Sequence, residues 1–237
     1  MRGVILAGGT GSRLMPLTEA INKHLLPVGQ EPMIFQPIRQ LVAAGIDEIL
    51  VVTGGNCPDG FLSLLKNGSH LGVKDLYYAY QEGAGGIAEA LKLAEKFVGE
   101  EPFAVVLGDN VFTGSLQEAV ATYKGEGAKI FLYEVPDPKR FGCPAFDGSG
   151  NLTEIIEKPA DPPSNYAVIG IYFYPPTVFK EIIDGLKPSA RGELEITAVN
   201  NYYLQQGKLD YSVIDGKWSD AGTWPSYAEA NRIVNES

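Results

Sequence analysis

The residues best suited to chemistry lie in a glycine-rich turn near the N-terminus. The turn continues an apolar run and consists of Leu6, Ala7, Gly8, Gly9, Thr10, Gly11, Ser12 and Arg13. Its three glycines allow tight turns and expose successive backbone N–H groups, which suits a polyphosphate. Arg13 and the later Lys23 add two cations. The pattern indicates nucleotide chemistry, although these residues alone are equally compatible with an ordinary glycine-rich turn.

Two common nucleotide motifs are absent from this turn. A dinucleotide-binding GxGxxG needs a third glycine, but Arg13 and Leu14 follow Ser12 instead. A P-loop needs the sequence GK[ST], which the chain lacks. Both an NAD-binding fold and a P-loop nucleotidase are therefore disfavoured.

Two aspartates are candidates for holding Mg²⁺. Asp109 follows the apolar run Val105–Leu107 and Gly108, and Asp220 lies between Trp218 and Gly222. Mg²⁺ prefers one or two carboxylates together with water and substrate phosphates. Taken alone, Asp109 also fits a residue that caps a loop or helix.

Three charged residues in the second half of the chain are suited to a sugar phosphate. Lys158 can reach a phosphate as a point charge, and Glu157 can accept hydrogen bonds from sugar hydroxyls. Arg191 can supply a second phosphate donor. A solvated turn at Glu157-Lys158 and a helix-start role for Arg191 remain open from these residues alone.

Alternating strands and helices must position these side chains. Predicted strands are Val4–Leu6, Ile49–Val52, Leu76–Tyr80, Phe103–Leu107, Ile130–Tyr133, Thr153–Glu157 and Val168–Tyr174. Predicted helices are Met33–Ala44, Ile87–Val98, Leu116–Tyr123 and Pro175–Gly185. The alternation predicts an α/β fold with parallel pairing, and ligands in such sheets bind beyond the carboxyl ends of the strands. With no linker or repeat, residues 1–237 are expected to form one domain.

Composition limits the class of protein. The 237 residues are 45% hydrophobic and carry a net charge of −10, which disfavours nucleic-acid binding. Cys57 and Cys143 are the only cysteines and form no CxxC motif, so reduced thiols and a cytoplasmic location are expected. No run approaches the roughly 20 apolar residues of a membrane span, so no membrane association is predicted.

Read together, these motifs resemble the sugar-nucleotide pyrophosphorylases, a nucleotidyltransferase family. The resemblance covers nearly the whole chain and rests on nine segments in the family's order. They are Leu6–Leu14 (LAGGTGSRL), Asn22–Val28 (NKHLLPV), Gln81 with Gly85–Ala90 (GGIAEA), Leu107–Asn110 (LGDN), Arg140–Gly142 (RFG), Ile156–Pro159 (IEKP), Tyr166–Tyr174 (YAVIGIYFY), Arg191–Thr197 (RGELEIT) and Trp218–Thr223 (WSDAGT). Longer members carry a further helical segment, so a short form is expected.

The resemblance implies a fold and a set of roles. The fold is a Rossmann-like three-layer α/β/α nucleotidyltransferase fold with a mixed, mostly parallel central sheet. Its N-terminal half binds the nucleotide and its C-terminal half the sugar phosphate. Implied nucleotide ligands are Leu6, Gly8, Gly9, Thr10, Gly11, Ser12, Arg13, Gln81 and Gly86. Implied sugar-phosphate ligands are Asn110, Gly142, Glu157, Lys158, Val168 and Arg191. Asp109 and Asp220 would hold Mg²⁺, and Arg13, Lys23 and Lys158 would be catalytic, with no role for His24 or His70.

The implied reaction joins dTTP and glucose 1-phosphate to give dTDP-glucose and pyrophosphate, in a homo-oligomer. A UTP- or GTP-using relative acting on another sugar phosphate remains open, because the base preference depends on small groups. A sensor that binds a sugar nucleotide without turnover is the non-enzyme alternative. Such a sensor would be expected to lack Arg13, Asp109, Lys158 or Asp220, and all four are present.

Overall fold

A nine-stranded mixed sheet forms the centre of the computed structural model, which describes residues 1–236. Two short two-stranded sheets accompany it. The strands are β1 (Arg2–Ala7), β2 (Pro27–Val28), β3 (Glu31–Pro32), β4 (Glu48–Gly54), β5 (Asp75–Gln81), β6 (Phe103–Leu107), β7 (Val111–Phe112), β8 (Ala128–Glu134), β9 (Gly142–Phe146), β10 (Leu152–Glu157), β11 (Tyr166–Tyr174), β12 (Leu209–Val213) and β13 (Trp218–Ser219).

The sheet has a parallel part and an antiparallel part. Its order is β10-β9-β11-β6-β1-β4-β5, and β8 pairs with both β11 and β12. Within the parallel part, β1 lies between β4 and β6, and β5 is the edge strand beyond β4. Within the antiparallel part, the long strand β11 pairs with β6, β8 and β9. The two halves of the chain therefore meet where β11 lies beside β6.

Helices cover both faces of this sheet. They are α1 (Phe35–Ala43), α2 (Pro58–Leu65), α3 (Ile87–Lys92), α4 (Glu95–Val98), α5 (Gln117–Thr122), α6 (Val178–Glu181), α7 (Ile196–Gln205) and α8 (Trp224–Asn235). Because side chains alternate along a strand, Ile5 of β1 packs in a core with Ile38 of α1, and Val4 packs in a second core with Leu91 of α3. This arrangement confirms the predicted three-layer α/β fold with a mixed sheet.

Two predicted helices differ from the structure. The helix predicted over Ile87–Val98 is divided into α3 and α4, because the N–H of Leu93 donates to the Ala90 carbonyl three residues earlier and tightens the chain. The helix predicted over Pro175–Gly185 begins only at Val178 and ends at Glu181, after which Ile183–Gly185 forms a 3₁₀ turn. Among residues 1–236, no helix has both the length and the apolar character needed to span a membrane.

His24 is buried beneath the carboxyl end of β6. Its Nδ1 lies 2.8 Å from the Asn22 Oδ1, and a Cβ atom at Gly108 would lie 2.8 Å from its Cδ2. Burial, reinforced by the charge of Lys23, lowers the pKa of His24 from 6.5 to about 3. His24 is therefore neutral at physiological pH, and it lies at the wall of a cavity described below.

This burial predicts a pH-dependent stability. The folded pKa of His24 lies below the unfolded value. Its contribution to the free energy of unfolding is therefore complete above pH 6.5 and is lost as the pH falls toward 3. We expect His24→Asn to lessen the fall in the free energy of unfolding between pH 7 and 5 by about 2 kcal/mol. Urea denaturation at several pH values measures this.

The exposed His70 provides the matched control. His70→Asn should keep the wild-type dependence of unfolding free energy on pH. If His24→Asn kept the wild-type dependence of the unfolding free energy on pH, the lowered pKa assigned to His24 would be contradicted.

Candidate active site

Two adjoining cavities lie at the carboxyl ends of the central strands. The first has a volume of about 260 Å³ and the second about 250 Å³, and Asp109 lines both. Predicted residues along the first cavity are Leu6, Gly8, Gly9, Lys23, Gln81 and Gly86. Predicted residues along the second cavity are Arg13, Asn110, Gly142, Glu157, Lys158, Val168 and Asp220. Most of the predicted site therefore lies around two connected spaces.

The glycine turn is packed tightly between its neighbours. Gly11 has a φ of 65°, and a Cβ atom there would lie 2.9 Å from the Thr18 Cγ2 and 3.2 Å from the Lys23 Cβ. The Thr18 hydroxyl also donates to the Gly11 carbonyl at 2.8 Å. Glycine is required at this position by both conformation and space. The close packing fixes the path of the turn between the two cavities.

Part of the turn supports the site without lining it. Gly8 and Gly9 line the first cavity, whereas Thr10, Gly11 and Ser12 line neither. Gly11 precedes a 3₁₀ turn, Ser12–Leu14. Arg13, within this turn, lines the second cavity, where a Cβ atom at Gly222 would lie 3.3 Å from both the Arg13 Nη2 and the Asp220 Oδ2. A nucleotide role for Thr10, Gly11 and Ser12 stays a prediction.

Lys23 and Asp109 form a short ion pair at the junction of the cavities. The Lys23 Nζ lies 2.5 Å from the Asp109 Oδ2, and both side chains are largely buried. Burial raises the pKa of Asp109, but the charge of Lys23 and hydrogen bonds from Lys23 and Asn110 outweigh it and hold the pKa below its ordinary value. Asp109 is therefore ionised and already has a cationic partner in Lys23.

Asn110 joins three segments beside Asp109. Its Nδ2 donates to the Asp109 Oδ1 at 3.2 Å, while its Oδ1 accepts the Trp218 Nε1–H at 2.7 Å and the Gly170 N–H at 3.2 Å. A Cβ atom at Gly170 would lie 2.6 Å from the Asn110 Nδ2, so β11 approaches closely only because this residue is glycine. In this structure Asn110 lines the second cavity but bonds to the protein, so its predicted contact with sugar remains untested.

Asp220 comes from the C-terminal part of the chain and lines the second cavity. Its carboxylate forms an ion pair with Arg140, and the Arg140 guanidinium carbon lies 5.0 Å from the centre of the Phe141 ring. Burial leaves the Arg140 Nε without a hydrogen-bond partner among the described residues. Asp109 and Asp220 thus each have a side-chain cation as partner.

The donor set around this cavity fits a magnesium ion that is shared with substrate. Asp109 and Asp220, both carboxylate residues, line the second cavity. Residues 1–236 contain no cluster of three acidic, His or Cys side chains that would enclose a metal without other ligands. Mg²⁺ commonly keeps waters and takes phosphate oxygens beside one or two carboxylates. These two aspartates suit such an ion.

Glu157 and Lys158 occupy the far wall of the second cavity. The Thr197 hydroxyl donates to the Glu157 Oε2 at 2.5 Å, and the Lys158 Nζ lies 3.5 Å from the Glu157 Oε1. The backbone of Lys158 has a φ of 46°, and its N–H donates to the Phe141 carbonyl at 2.9 Å. This unusual conformation turns the half-exposed Lys158 side chain toward the cavity rather than along the strand.

Arg191 lies outside the cavity that Glu157 and Lys158 line. Its Nη2 lies 2.7 Å from the Glu195 Oε1, 3.2 Å from the Glu157 Oε1 and 3.6 Å from the Glu193 Oε2. It lines neither cavity. Three carboxylates hold the guanidinium beside the wall of the cavity, so its predicted phosphate contact remains a prediction.

Several residues around the cavities had no assigned role in the sequence analysis. All five lie within the recognised segments and line the second cavity: Arg140, Tyr172, Glu193, Thr197 and Trp218. Burial raises the pKa of Tyr172 above its ordinary value, so its hydroxyl is a neutral donor. Among these five residues, only Arg140 had a sequence feature that could have identified it, because this cation directly precedes an aromatic residue and a glycine.

Comparison with known proteins agrees with this geometry. The profile of the Nucleotidyl transferase family matches residues 2–237. Glucose-1-phosphate thymidylyltransferase of Neisseria gonorrhoeae is 43% identical over 99% of this chain and 82% of its own length. The enzyme of that name from Mycobacterium tuberculosis is 44% identical over the same shares of both chains.

Solved structures show the same fold. A protein of Bacillus anthracis assigned as a glucose-1-phosphate thymidylyltransferase, in complex with sucrose, is 47% identical with a TM-score of 0.94 and covers 100% of this chain and 96% of its own. A UDP-glucose pyrophosphorylase in complex with UDP-glucose is 26% identical with a TM-score of 0.85, over 99% and 98% of the two chains. With a family profile over nearly its full length and relatives above 40% identity, this chain belongs to the nucleotidyl transferase family of enzymes.

Proposed function

We propose that this nucleotidyltransferase transfers a thymidylyl group from dTTP to glucose 1-phosphate, forming dTDP-glucose and releasing pyrophosphate. The observation that carries the proposal is the position of Asp109, a carboxylate residue that lines both cavities. A nucleotide in the first cavity and a sugar phosphate in the second would meet at this carboxylate. The names of the relatives at 43% and 44% identity support this choice of substrates.

The two halves of the chain divide the substrates in this proposal, within one domain over residues 1–237. The glycine turn, Gln81 and Gly86 bind dTTP, with Arg13 and Lys23 directed at its phosphates. Gly142, Glu157 and Val168 bind the hexose, and Lys158 binds its phosphate. Since the halves meet along β6 and β11, each supplies one wall of a common cleft.

The reaction needs little proton transfer. The phosphate oxygen of glucose 1-phosphate is already ionised, so it attacks the α-phosphorus without a general base, and the bond to pyrophosphate breaks in line. The main obstacle is repulsion between two anions. In this proposal Arg13, Lys23 and Lys158 offset this repulsion, and the orientation of the two reactants contributes roughly 7–11 kcal/mol.

Asp109 and Asp220 would hold the Mg²⁺ ion. When bound, Mg²⁺ neutralises phosphate charge and stabilises the charge that develops during the transfer. In this structure Lys23 and Arg140 already pair with these carboxylates. These two cations balance the charge of the aspartates in the absence of substrate, and in this proposal they turn to the phosphates that arrive with the metal.

The proposal extends to assembly and location. We infer a homo-oligomer from the resemblance to the family. We infer a cytoplasmic location from the substrates and from Cys57 and Cys143, both of which are free thiols. A uridylyl transfer is the second candidate, because the UDP-glucose pyrophosphorylase shares the fold at a TM-score of 0.85.

A pyrophosphate-release assay tests the reaction and its alternatives together. The protein is incubated with Mg²⁺, glucose 1-phosphate and dTTP, UTP, GTP, dCTP or ATP in separate reactions. We expect the fastest release with dTTP. A preference for UTP or GTP would reassign the nucleotide, and binding without release in any reaction would favour the sensor.

Loss of either aspartate should remove metal-dependent turnover. Asp109→Asn and Asp220→Asn retain shape but remove the carboxylate charge, so we expect turnover to fall by about 100-fold or more. Binding of Mn²⁺ with dTTP, followed by electron paramagnetic resonance, should weaken in parallel. Asp215→Asn, at an exposed aspartate, is the control and should retain both. Normal Mn²⁺ binding in the two site variants would refute the metal assignment.

Lys158 should matter mainly for the sugar phosphate. Lys158→Met keeps the aliphatic length but removes the charge, so we expect the KM for glucose 1-phosphate to rise by about tenfold or more, with little change in the KM for dTTP. Initial rates with each substrate varied in turn measure both constants. Lys139→Met, an exposed residue outside both cavities, should leave both unchanged. A larger rise in the KM for dTTP than in the KM for glucose 1-phosphate would contradict the assignment of Lys158 to the sugar phosphate.

A further inference from the structure

Glu89 holds the side chain of Gln81 in one orientation. The Glu89 Oε2 accepts the Gln81 Nε2–H at 2.8 Å and the Gly85 N–H at 3.1 Å. The Gly86 carbonyl accepts the Gln81 Nε2–H at 3.3 Å. A carboxylate and a carbonyl only accept, so both point to the amide nitrogen rather than the amide oxygen of Gln81. The orientation of this amide is therefore set by its partners.

The amide oxygen of Gln81 is consequently directed to the first cavity. Gln81 and Gly8 both line that cavity. A Cβ atom at Gly8 would lie 3.0 Å from the Gln81 Oε1. Gln81 is 7% exposed, so a base that reaches it leaves the water and meets a hydrogen-bond acceptor. An acceptor at this position selects for a donor on the ligand.

The segment that carries these acceptors is fixed from the second half of the chain. The Leu194 N–H donates to the Gly85 carbonyl at 2.8 Å, and the Ala88 N–H donates to the Leu194 carbonyl at 3.2 Å. A Cβ atom at Gly86 would lie 2.7 Å from the Leu194 carbonyl oxygen. This close contact restricts movement of the turn that begins α3. Glu89 is thus held within reach of Gln81.

We propose that Glu89 is a positioning residue that sets base selectivity by fixing which atom of the Gln81 amide faces the nucleotide. With the oxygen facing the cavity, the N3–H of thymine or uracil finds an acceptor. The N3 of cytosine is itself an acceptor and meets the Gln81 oxygen with no hydrogen between them. The inference rests on the proposed function, because it assumes that the first cavity binds the base.

Removal of the acceptor at position 89 tests the proposal. Glu89→Met keeps an unbranched side chain but frees the Gln81 amide to rotate, so we expect the ratio of kcat/KM for dTTP to that for dCTP to fall by about tenfold or more. The ratio of the dissociation constant for dCTP to that for dTTP, measured by calorimetry, should fall by a similar factor. Glu89→Lys carries only donors and should favour the opposite amide orientation, which lowers the ratio further.

Glu89→Gln is the matched control for charge. Its amide oxygen can take the place of Oε2 and accept both N–H groups, so it should retain the selectivity of the wild type. Glu82→Gln, at the exposed neighbour of Gln81, should also retain it. Loss of selectivity in Glu89→Gln equal to that in Glu89→Met would indicate an effect of charge and overturn the proposal.

The outcomes separate this inference from the proposed function. If the wild type releases pyrophosphate from dTTP but neither Glu89→Met nor Glu89→Lys lowers the ratio while folded, the inference fails and the function stands. If the wild type shows no turnover with any nucleotide, the proposed function fails first. If Glu89→Met does not fold, as judged by circular dichroism, Glu89→Lys decides the matter.

Discussion

Parallel pairing of β1 with β6 is the constraint on which the site depends. Leu6 is in register with Leu107, and the Gly108 N–H continues the ladder by donating to the Leu6 carbonyl at 2.8 Å. The glycine turn and Asp109 therefore leave the sheet side by side. Lys23 reaches Asp109 only because the chain returns to the carboxyl end of β6 through the 3₁₀ turn Lys23–Leu25. A shift in this register would separate the glycine turn from the acidic residue.

The site keeps its charges balanced although the chain as a whole is strongly acidic. Asp109 pairs with Lys23, Asp220 with Arg140 and Glu157 with Arg191. A carboxylate that is largely buried without a partner is strongly destabilising, so each pair offsets the cost of placing its carboxylate inside the fold. The net charge of −10 therefore says little about the local potential that a phosphate would meet.

The sequence was sufficient to predict which strand ends carry chemistry. Apolar runs followed by glycine or charge located Asp109 and Glu157 at the carboxyl ends of β6 and β10, because strand length and pattern are local properties. The partners of these residues were not predictable in this way. Arg140 meets Asp220 across 80 positions and Thr197 meets Glu157 across 40, and no local pattern encodes such contacts.

The sequence pattern also did not predict the break between α3 and α4 or the edge strand β12. The break after α3 arises from tightened hydrogen bonds rather than from a glycine or proline, so the helix predicted over Ile87–Val98 had no visible interruption. β12 is partly exposed and has no continuous apolar run, which made this strand difficult to recognise. The structure adds what these local rules omit, namely the order of the antiparallel strands.

The close approach of Gly170 to Asn110 has a consequence for how substrate preference can change. The pairing of β11 with β8 is interrupted between Val168 and Tyr172, and Gly170 lies within that interruption, against the residue that hydrogen-bonds to Asp109. The same short piece of backbone therefore carries Val168, on the wall of the second cavity, and Gly170, which supports the acidic centre formed by Asp109 and its partner Asn110. Evolution toward other hexoses is free to vary the side chain of Val168, but any insertion in this piece of strand would disturb the acidic centre as well.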